Sequence, residues 1–523
     1  MGKGNITIAV TGGTGHMGMC AVKKLLELSN IKIKLLVRVE NKTLPKLLKK
    51  IGSERSRLEI IRGSVADESA VQKLVVGSDY VIHMAAVIPP LSDKNPKRSY
   101  EVNELGALNM IHAIESIKEN QPKFIDVTSV ALYGNRDEKH LFGKVGDPLL
   151  VSPFDVYSAN KLRGEFAVLE SKIESWAVLR QSAMIYRTMV DGNMSDGLMF
   201  HTTFNGPLEW VTDEDSAVLI KHIIQKDLTE DLSKTFWRHV FNIGAPYENR
   251  VTGFEVLDEG FKLINGSTKD FFTPDFNITR NFHGMWYEDS DVLENMFHYK
   301  NWKLNDYWKE IGNCHKYYKL AVVAPPILIK KLAIERLFFN YNAPKYWLKH
   351  NDVARLTAFF GSPDTYKNMT RKWEDFPLLR EGRLQDGKSI DYDKLRFGKN
   401  YAPLNYGFDF NKKDSEISLD DLKSVADFHS GECLAKKFTT GDIYTPVEWK
   451  TQDGEVFVAR PYSVLRAGHW YNPIYKDYTW DFDRLSKKDK FFAQIWYDTH
   501  SQDENFCYYF DKDFKAHIKY FAE

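Results

Sequence analysis

A glycine-rich loop between a short strand and a helix constrains this sequence most. Residues 5–11 are apolar and rich in β-branched side chains, and residues 11–18 (TGGTGHMG) lead directly into helical spacing. Such a loop must turn tightly, bring backbone N–H groups near a pyrophosphate and let helix and strand pack closely, which glycine permits. The sequence therefore predicts a dinucleotide site, with these residues binding the cofactor: Gly12, Thr14, Gly15, His16, Met17 and Gly18.

Strand-like runs then alternate with helix-like segments. They lie at 31–38, 58–64, 79–86, 123–129, 175–182 and 239–244. This alternation is typical of right-handed βαβ units in a doubly wound parallel sheet. We predict an α/β Rossmann fold with a substrate-binding subdomain and an added aromatic-rich α+β carboxy-terminal region.

Aromatic residues are much denser in the second half of the chain than in the first, which indicates two differently built regions. Of the 71 Phe, Trp and Tyr residues, 17 lie in residues 1–250 and 54 in residues 251–523. They either line a pocket for a bulky apolar substrate or form the core of a small domain. We predict a cofactor-binding domain (1–250), a helical substrate-binding extension (251–380), a linker near 380–416 and a small β-rich domain (417–523).

Finer patterns predict the elements after residue 250. Helices are expected at 304–320, 327–339 and 419–429, the last opened by a capping box at 418–421. Strands are expected at 443–450 and 455–462, and a final hairpin is expected to pair 491–500 with 505–511.

The end of the second strand indicates which cofactor is bound. A carboxylate there would accept hydrogen bonds from the ribose of NAD, whereas an arginine would pair with the 2′-phosphate of NADP. Arg38 ends this strand, with Glu40 and Lys42 nearby. We therefore predict NADP, with NAD as a possible alternative, and the other interpretation of Arg38 is a solvated strand end.

A phenol and an ammonium lie four residues apart in Tyr157 and Lys161, and hence on one helical face. An ammonium lowers the pKa of a nearby phenol, which can then exchange a proton with a carbinol or ketone oxygen. Ser129 ends the strand before this helix, at the edge where open α/β sheets bind ligands. It is predicted to hold the substrate oxygen.

These motifs together resemble the extended short-chain dehydrogenase/reductase family. HMAA (83–86), TSVALYG (128–134), YSANKLRGE (157–165) and the asparagine of YEVNELGALN are similar to its later landmarks. The resemblance implies Tyr157 as acid/base, Lys161 as pKa modulator and ribose contact, Ser129 as hydrogen-bond donor to the substrate, and Asn103 as a link in a proton relay. It also implies cofactor contacts from Ser64, Val65, Ala85, Ala86 and Gln181.

Three departures from the family pattern qualify these implications. GSVAD (63–67) replaces the usual GDxxD, which affects the adenine contact, and Gln181 stands where proline is usual, on the nicotinamide side. Val130 and Ala131 replace the Asp–Glu pair of sugar-nucleotide 4,6-dehydratases, which disfavours their elimination chemistry.

A segment of the aromatic-rich half, 433–475, is similar to a bacterial zinc-ribbon-like repeat. Trp449, Trp470 and several turn residues fit that repeat, but Thr451, Glu455 and Tyr471 stand at its ligand positions. Because tetrahedral zinc needs about four thiolate or imidazole ligands, we predict no metal there and a region that packs against the first domain.

Composition limits the kinds of binding partner and the location that are expected. The formal net charge of zero disfavours nucleic acid, and four scattered cysteines favour a reducing, cytoplasmic location. No membrane span is expected, and a homodimer is possible.

The predicted function is NADP-dependent hydride transfer with a small-molecule carbonyl or alcohol substrate. The alternatives are a nucleotide-sugar epimerase that recycles NAD and a cofactor-binding regulatory or scaffold protein.

Overall fold

A seven-stranded parallel sheet organises the first half of the molecule. The structure is a computed structural model that describes residues 5–190, 197–315, 325–379 and 403–509. The strands of the sheet are β1 (Ile6–Thr11), β2 (Ile31–Val37), β3 (Leu58–Arg62), β4 (Tyr80–His83), β5 (Lys123–Ser129), β7 (Trp176–Gln181) and β10 (His239–Ile243). Their order across the sheet is β10-β7-β5-β4-β1-β2-β3, a doubly wound arrangement that confirms the predicted fold class.

Helices join these strands and cover the sheet. They bury apolar side chains in two large clusters that contain the sheet's two faces. The helices are α1 (His16–Leu25), α2 (Leu44–Ile51), α3 (Glu68–Val75), α4 (Leu91–Lys94), α5 (Pro96–Asn103), α6 (Leu105–Glu115), α7 (Val156–Glu170) and α8 (Asp213–Asp227).

Smaller sheets and short helices extend the fold beyond the carboxyl ends of the strands. The strands are β6 (Phe142–Gly143), β8 (Ala183–Ile185), β9 (Pro207–Thr212), β11 (Arg250–Thr252) and β12 (Trp286–Tyr287). The helices are α9 (Gly253–Lys262), α10 (Thr268–Phe271), α11 (Asp291–Phe297), α12 (Leu304–Cys314), α13 (Pro326–Ile329), α14 (Pro344–Lys349), α15 (Val353–Phe360) and α16 (Pro363–Lys367).

Two predicted helices of this extension are found in altered form. The helix predicted at 304–320 is α12, which ends at Cys314, while residues 316–320 lie outside the described residues. The helix predicted at 327–339 consists of α13 followed by a π turn (Lys330–Ile334) and a 3₁₀ turn (Glu335–Phe339). Residues 380–402 of the predicted linker also lie outside the described part.

The carboxy-terminal region is α+β, but helices make up most of its regular structure, so "β-rich" is wrong as a description. Its elements are α17 (Leu419–Phe428), β13 (Glu432–Cys433), β14 (Val447–Lys450), β15 (Val456–Ala459), α18 (Pro473–Asp477), α19 (Phe482–Lys488) and α20 (Lys490–Trp496). The capping box of α17 and the β14–β15 hairpin are confirmed. The predicted final hairpin is wrong, because α20 occupies its first arm.

The carboxy-terminal region packs directly on the cofactor-binding domain, as predicted. One apolar cluster contains residues of both, including Trp176 and Tyr462, whose rings meet edge to face at 5.8 Å. Polar contacts cross the same boundary: Arg180 Nη2 donates to the carbonyl of Ala467 at 2.8 Å, and the Tyr462 hydroxyl accepts from the Val240 backbone at 2.8 Å. Within the described residues, no helix combines the length and apolar character needed to cross a membrane.

We predict that chelators leave the melting temperature unchanged. Thr451 Oγ1 accepts from backbone N–H groups of its own turn, and Tyr471 stacks on Phe457 at 5.3 Å, so both have structural roles in the folded chain. Three other residues of the described part, Asp483, His500 and Glu504, lie close enough together to hold a metal ion, but each contacts another side chain. Asp483 accepts from the Trp496 indole, and Glu504 pairs with an arginine.

The check is a melting curve with and without EDTA, together with elemental analysis of the purified protein. A structural zinc would supply much of a small region's folding free energy. Stoichiometric zinc, or a lower melting temperature in EDTA, would show that this interpretation of the region is wrong.

Candidate active site

The glycine loop forms a close turn between β1 and α1. Gly12 has a φ of +71°, and a Cβ on it would lie 2.5 Å from the Met84 carbonyl oxygen. A Cβ on Gly18 would lie 2.2 Å from the Gly12 carbonyl oxygen. Gly15 precedes α1 and provides no side-chain cap for its first turn. Free N–H groups at a helix start attract anions, so this loop fits a pyrophosphate.

One cavity of about 1310 Å³ joins the loop to the predicted catalytic residues. Ser129, Tyr157 and every predicted cofactor residue except Lys161 line it, including Arg38, Ser64, Val65, Ala85, Ala86 and Gln181. His16, at the start of α1, stacks on Tyr186 with ring centroids 3.8 Å apart. No sequence pattern indicated this stack, because Tyr186 follows a strand of a different sheet.

Arg38 follows β2 and is exposed at the edge of the cavity. Its carbonyl accepts a 3.3 Å hydrogen bond from Arg62 Nη1 at the end of β3. Across the loop, Asn41 Nδ2 donates to Thr14 Oγ1 at 3.0 Å. The Arg38 guanidinium can therefore meet an anionic group of a ligand in the cavity.

The residues 63–67 that depart from the family pattern have local roles. Ser64 Oγ accepts from the Ala66 backbone at 3.2 Å, and Asp67 caps α3 through the backbone of Ser69 and Ala70. Ser64 and Val65 still line the cavity, whereas Asp67 acts as a helix cap.

Tyr157 and Ser129 meet in the cavity. Tyr157 lies in the first turn of α7, and Ser129 is the last residue of β5. Burial raises the pKa of Tyr157 to about 12, the hydrogen bond with Ser129 opposes this, and the carboxylates of Asp155 and Asp126 add to it. The sequence predicted that Lys161 lowers the pKa of Tyr157, whereas in the structure this pKa is raised overall. At neutral pH Tyr157 is a phenol, the form that donates a proton.

Lys161 is buried and does not line the cavity. Its Nζ donates to the Val127 carbonyl at 2.9 Å. Burial lowers the pKa of this ammonium, while the carboxylates of Asp126 and Glu165 raise it. In this arrangement Lys161 fixes α7 to β5, and its ribose contact stays a prediction.

Asn103 holds a loop of the cavity wall. Its side chain exchanges two hydrogen bonds with the backbone of Val87, at 2.8 and 2.9 Å, and donates to Ser99 Oγ at 3.0 Å. Val87 lines the cavity. The structure thus gives Asn103 a positioning contact, and the proton relay implied by the resemblance stays a prediction.

Two buried polar groups near Lys161 were missed by the sequence analysis. His83 of β4 and Asp126 of β5 are neighbours in register, and each has one ring nitrogen or carboxylate oxygen without a hydrogen-bond partner among the described residues. Burial, with the Lys161 charge, lowers the pKa of His83 to about 3, and burial raises that of Asp126 to about 6. The carboxyl within KFIDVTS was the available signal, since charged residues are rare in buried strands.

The next turn of α7 is held by a buried ion pair. Arg180 of β7 pairs with Glu165, which also accepts from Thr128 Oγ1 at 2.6 Å and contacts His469 Nε2 at 3.0 Å. Gln181, the next residue, accepts from Ser216 Oγ at 3.1 Å. The carboxy-terminal region therefore supports the helix that carries Tyr157.

A family model matches the first part of the chain. Residues 8–177 match the model of the NAD dependent epimerase/dehydratase family. The match spans about a third of the chain and agrees with the doubly wound sheet and the glycine loop found there.

The individual relatives are more distant. The chain is 29% identical over 141 residues to UDP-glucose 4-epimerase of Mycoplasma genitalium. The matched residues make up 26% of this chain and 39% of that protein. It is 29% identical over 124 residues to dTDP-4-dehydrorhamnose reductase of Mycolicibacterium smegmatis, covering 24% and 36%. The chain thus spans little more than a third of the length of these curated relatives.

Among solved structures, a mutant of UDP-glucuronic acid 4-epimerase of Bacillus cereus, in complex with a fluorinated UDP-sugar and NAD, is similar with a TM-score of 0.48 and 18% identity. That match covers 60% of this chain and 99% of the other. The dTDP-glucose 4,6-dehydratase of Bacillus anthracis in complex with NAD has a TM-score of 0.47 and 17% identity, covering 60% and 98%.

Proposed function

We propose that this protein is an NADP-dependent oxidoreductase that reduces a carbonyl compound to an alcohol. The observation that carries the proposal is the cavity itself, in which the glycine loop and the hydrogen-bonded Ser129–Tyr157 pair share one lining. A nucleotide cofactor and a reacting carbonyl can therefore bind side by side.

The residues present fit a dinucleotide. Gly12 and Gly18 pack where a Cβ would collide with backbone, and α1 begins with N–H groups that no side chain caps. When bound, NADPH supplies a hydride. Arg38 supplies a cation at the end of β2, where a 2′-phosphate would distinguish NADPH from NADH.

The protein's own part in the reaction concerns the carbonyl oxygen. Ser129 donates a hydrogen bond to this oxygen and orients it, and Tyr157 donates the proton that completes the alcohol. The raised pKa keeps Tyr157 protonated at neutral pH, so the free protein already holds the proton that reduction of the carbonyl uses. Lys161, bonded to Val127, holds α7 so that the phenol faces the cavity.

The direct test is a screen of NADPH oxidation over a panel of ketones and aldehydes, with NADH in parallel. We expect turnover with NADPH and much slower turnover with NADH. Tight binding of both cofactors without oxidation by any carbonyl would contradict the proposal.

Arg38→Asp should reverse the cofactor preference. The charge-assisted bond to a 2′-phosphate contributes about 1.5–3 kcal/mol, so NADPH affinity should fall roughly ten- to hundredfold while NADH affinity changes little. Fluorescence titration of both cofactors measures this. The matched control is Arg55→Asp, which makes the same charge reversal at an exposed arginine that does not line the cavity. Equal affinities in the unmodified protein would make Arg38 an ordinary surface charge.

The two reaction directions should depend differently on pH. Reduction needs the Tyr157 phenol, so its kcat/KM should be level between about pH 6 and 9, whereas alcohol oxidation needs the phenolate and should rise roughly tenfold per pH unit. The measurement is kcat/KM in both directions across this range. An oxidation rate independent of pH would exclude Tyr157 as the titrating base.

A nucleotide-sugar epimerase is the second candidate, favoured by the similarity to UDP-glucose 4-epimerase. An epimerase returns the hydride to its substrate and shows no net cofactor oxidation. Retention of bound NAD through purification, with inversion of a UDP-sugar and no NADPH consumption, would favour it over the reductase.

A further inference from the structure

One wall of the cavity is almost wholly apolar, whereas charged and polar side chains line other parts of it, among them Arg98, His201, His283 and Arg355. The described residues that line it between 256 and 264 and between 328 and 334, together with Trp308, are apolar or glycine. Arg336 is the one charged lining residue that this stretch of wall, 256–264 with Trp308 and 328–336, contributes. Met189, Leu208 and Trp210 also line the cavity.

This wall suits a hydrocarbon body better than a sugar nucleotide. A diphosphate needs several cations or N–H donors to replace its water, and hydroxyl groups in an apolar cavity lose hydrogen bonds at a large cost in free energy. An apolar body gains free energy with each buried carbon. The volume of about 1310 Å³ exceeds that of ordinary ligand pockets, as expected for a cavity that takes both a cofactor and a bulky substrate.

The cavity also reaches the surface through apolar side chains. Leu328 and Leu332 line it and are 46% and 63% exposed, and the adjoining Ile327 is 65% exposed. Exposed apolar groups that continue into a cavity give an apolar molecule a path from the surface to the interior.

We propose that the cavity takes a bulky, largely apolar ligand, whose hydrocarbon body lies along α9, α12 and the turns that follow α13. In the reaction proposed above, on which this part rests, that ligand is the substrate. Its carbonyl meets Ser129 and Tyr157, and its apolar body extends towards Trp308 and Leu332.

The first test is kinetic and uses methyl ketones of increasing length, from 2-butanone to 2-undecanone, with NADPH. The ratio kcat/KM should rise by roughly fourfold per added methylene until the cavity is filled. A level or falling series in an enzyme that does reduce 2-butanone would overturn the apolar substrate and leave the reductase function intact.

The second test needs no turnover. The neutral dye N-phenyl-1-naphthylamine should bind the full-length protein with increased fluorescence, and 2-undecanone should displace it. If no ketone is reduced but the dye binds and is displaced, the apolar ligand site stands and the reductase function fails. Absence of dye binding would overturn the site.

A matched pair of surface variants locates the binding. Leu332→Asp places a carboxylate at the cavity opening, whereas Phe339→Asp places one on a 74% exposed residue of the same stretch that does not line the cavity. Leu332→Asp should weaken dye binding at least tenfold and Phe339→Asp should not. Equal effects of the two variants, or none, would show that the dye binds elsewhere and would overturn the proposal.

Discussion

Tyr157→Phe should lower kcat for carbonyl reduction by on the order of 10²–10⁴-fold, the usual contribution of a positioned general acid. The phenylalanine ring keeps the shape of the first turn of α7 and removes only the hydroxyl that meets Ser129. Because the glycine loop is untouched, NADPH affinity should stay within about twofold. Stopped-flow measurement of hydride transfer, together with cofactor titration, checks both parts.

The control for this substitution is Tyr247→Phe, which removes a hydroxyl from a half-exposed tyrosine outside the cavity. This variant should keep full activity. Substantial turnover by Tyr157→Phe would mean that another group delivers the proton, and the assignment of Tyr157 as acid would be wrong.

Trp470→Ala should lower the free energy of unfolding by about 3–5 kcal/mol, the range for removing a fully buried large side chain. Trp470 is 1% exposed and lies at the centre of the carboxy-terminal core. Its ring stacks on His429 at 4.2 Å and meets Trp449 and Phe457 edge to face at 5.9 and 5.2 Å. Gly431 packs against the same ring. Denaturant unfolding of the full-length protein measures the loss.

The matched control is Phe506→Ala, in which the aromatic side chain is 40% exposed. We expect a loss on the order of 0.5 kcal/mol there, as for other surface substitutions. If Trp470→Ala costs no more than Phe506→Ala, the aromatic residues of this region do not supply its stability.

The seven strands of the main sheet could be predicted because each signal is local. Apolar β-branched runs bounded by turns mark every one of them, and the predicted ends agree within about three residues. The largest difference is at 79–86, where β4 ends at His83. After His83 the chain passes close to the glycine loop, where the Met84 backbone lies next to Gly12. This contact joins distant segments, so no local sequence pattern predicts it.

The prediction of a final hairpin was wrong because the aromatic residues were taken to follow the period of a strand rather than that of a helix. Phe491, Phe492, Ile495 and Trp496 are buried at helical spacing, and Asp489 caps the helix through the Phe491 backbone. Spacings of one, four and five residues define one face of a helix. The dense aromatic residues and the turn SQDE obscured this period.

The residues that line the candidate site could be predicted from the sequence, but the contacts that hold those residues in place could not. The glycine loop, Ser129 and Tyr157 belong to contiguous motifs, so their meeting in one cavity follows from the fold. The contact between Glu165 and His469 joins residues about 300 positions apart, and only the folded chain places them together.

Net hydride transfer from NADPH to a carbonyl carbon is the central claim, and one isotope measurement tests it directly. The protein is incubated with NADPH that is deuterated at both positions of the nicotinamide C4 and with 2-undecanone and each other carbonyl of the panel, and the products are analysed by mass spectrometry. We predict a deuterated alcohol formed in equal amount to the NADP⁺ produced. Bound cofactor that remains reduced while no deuterium reaches any carbonyl of the panel would contradict this claim.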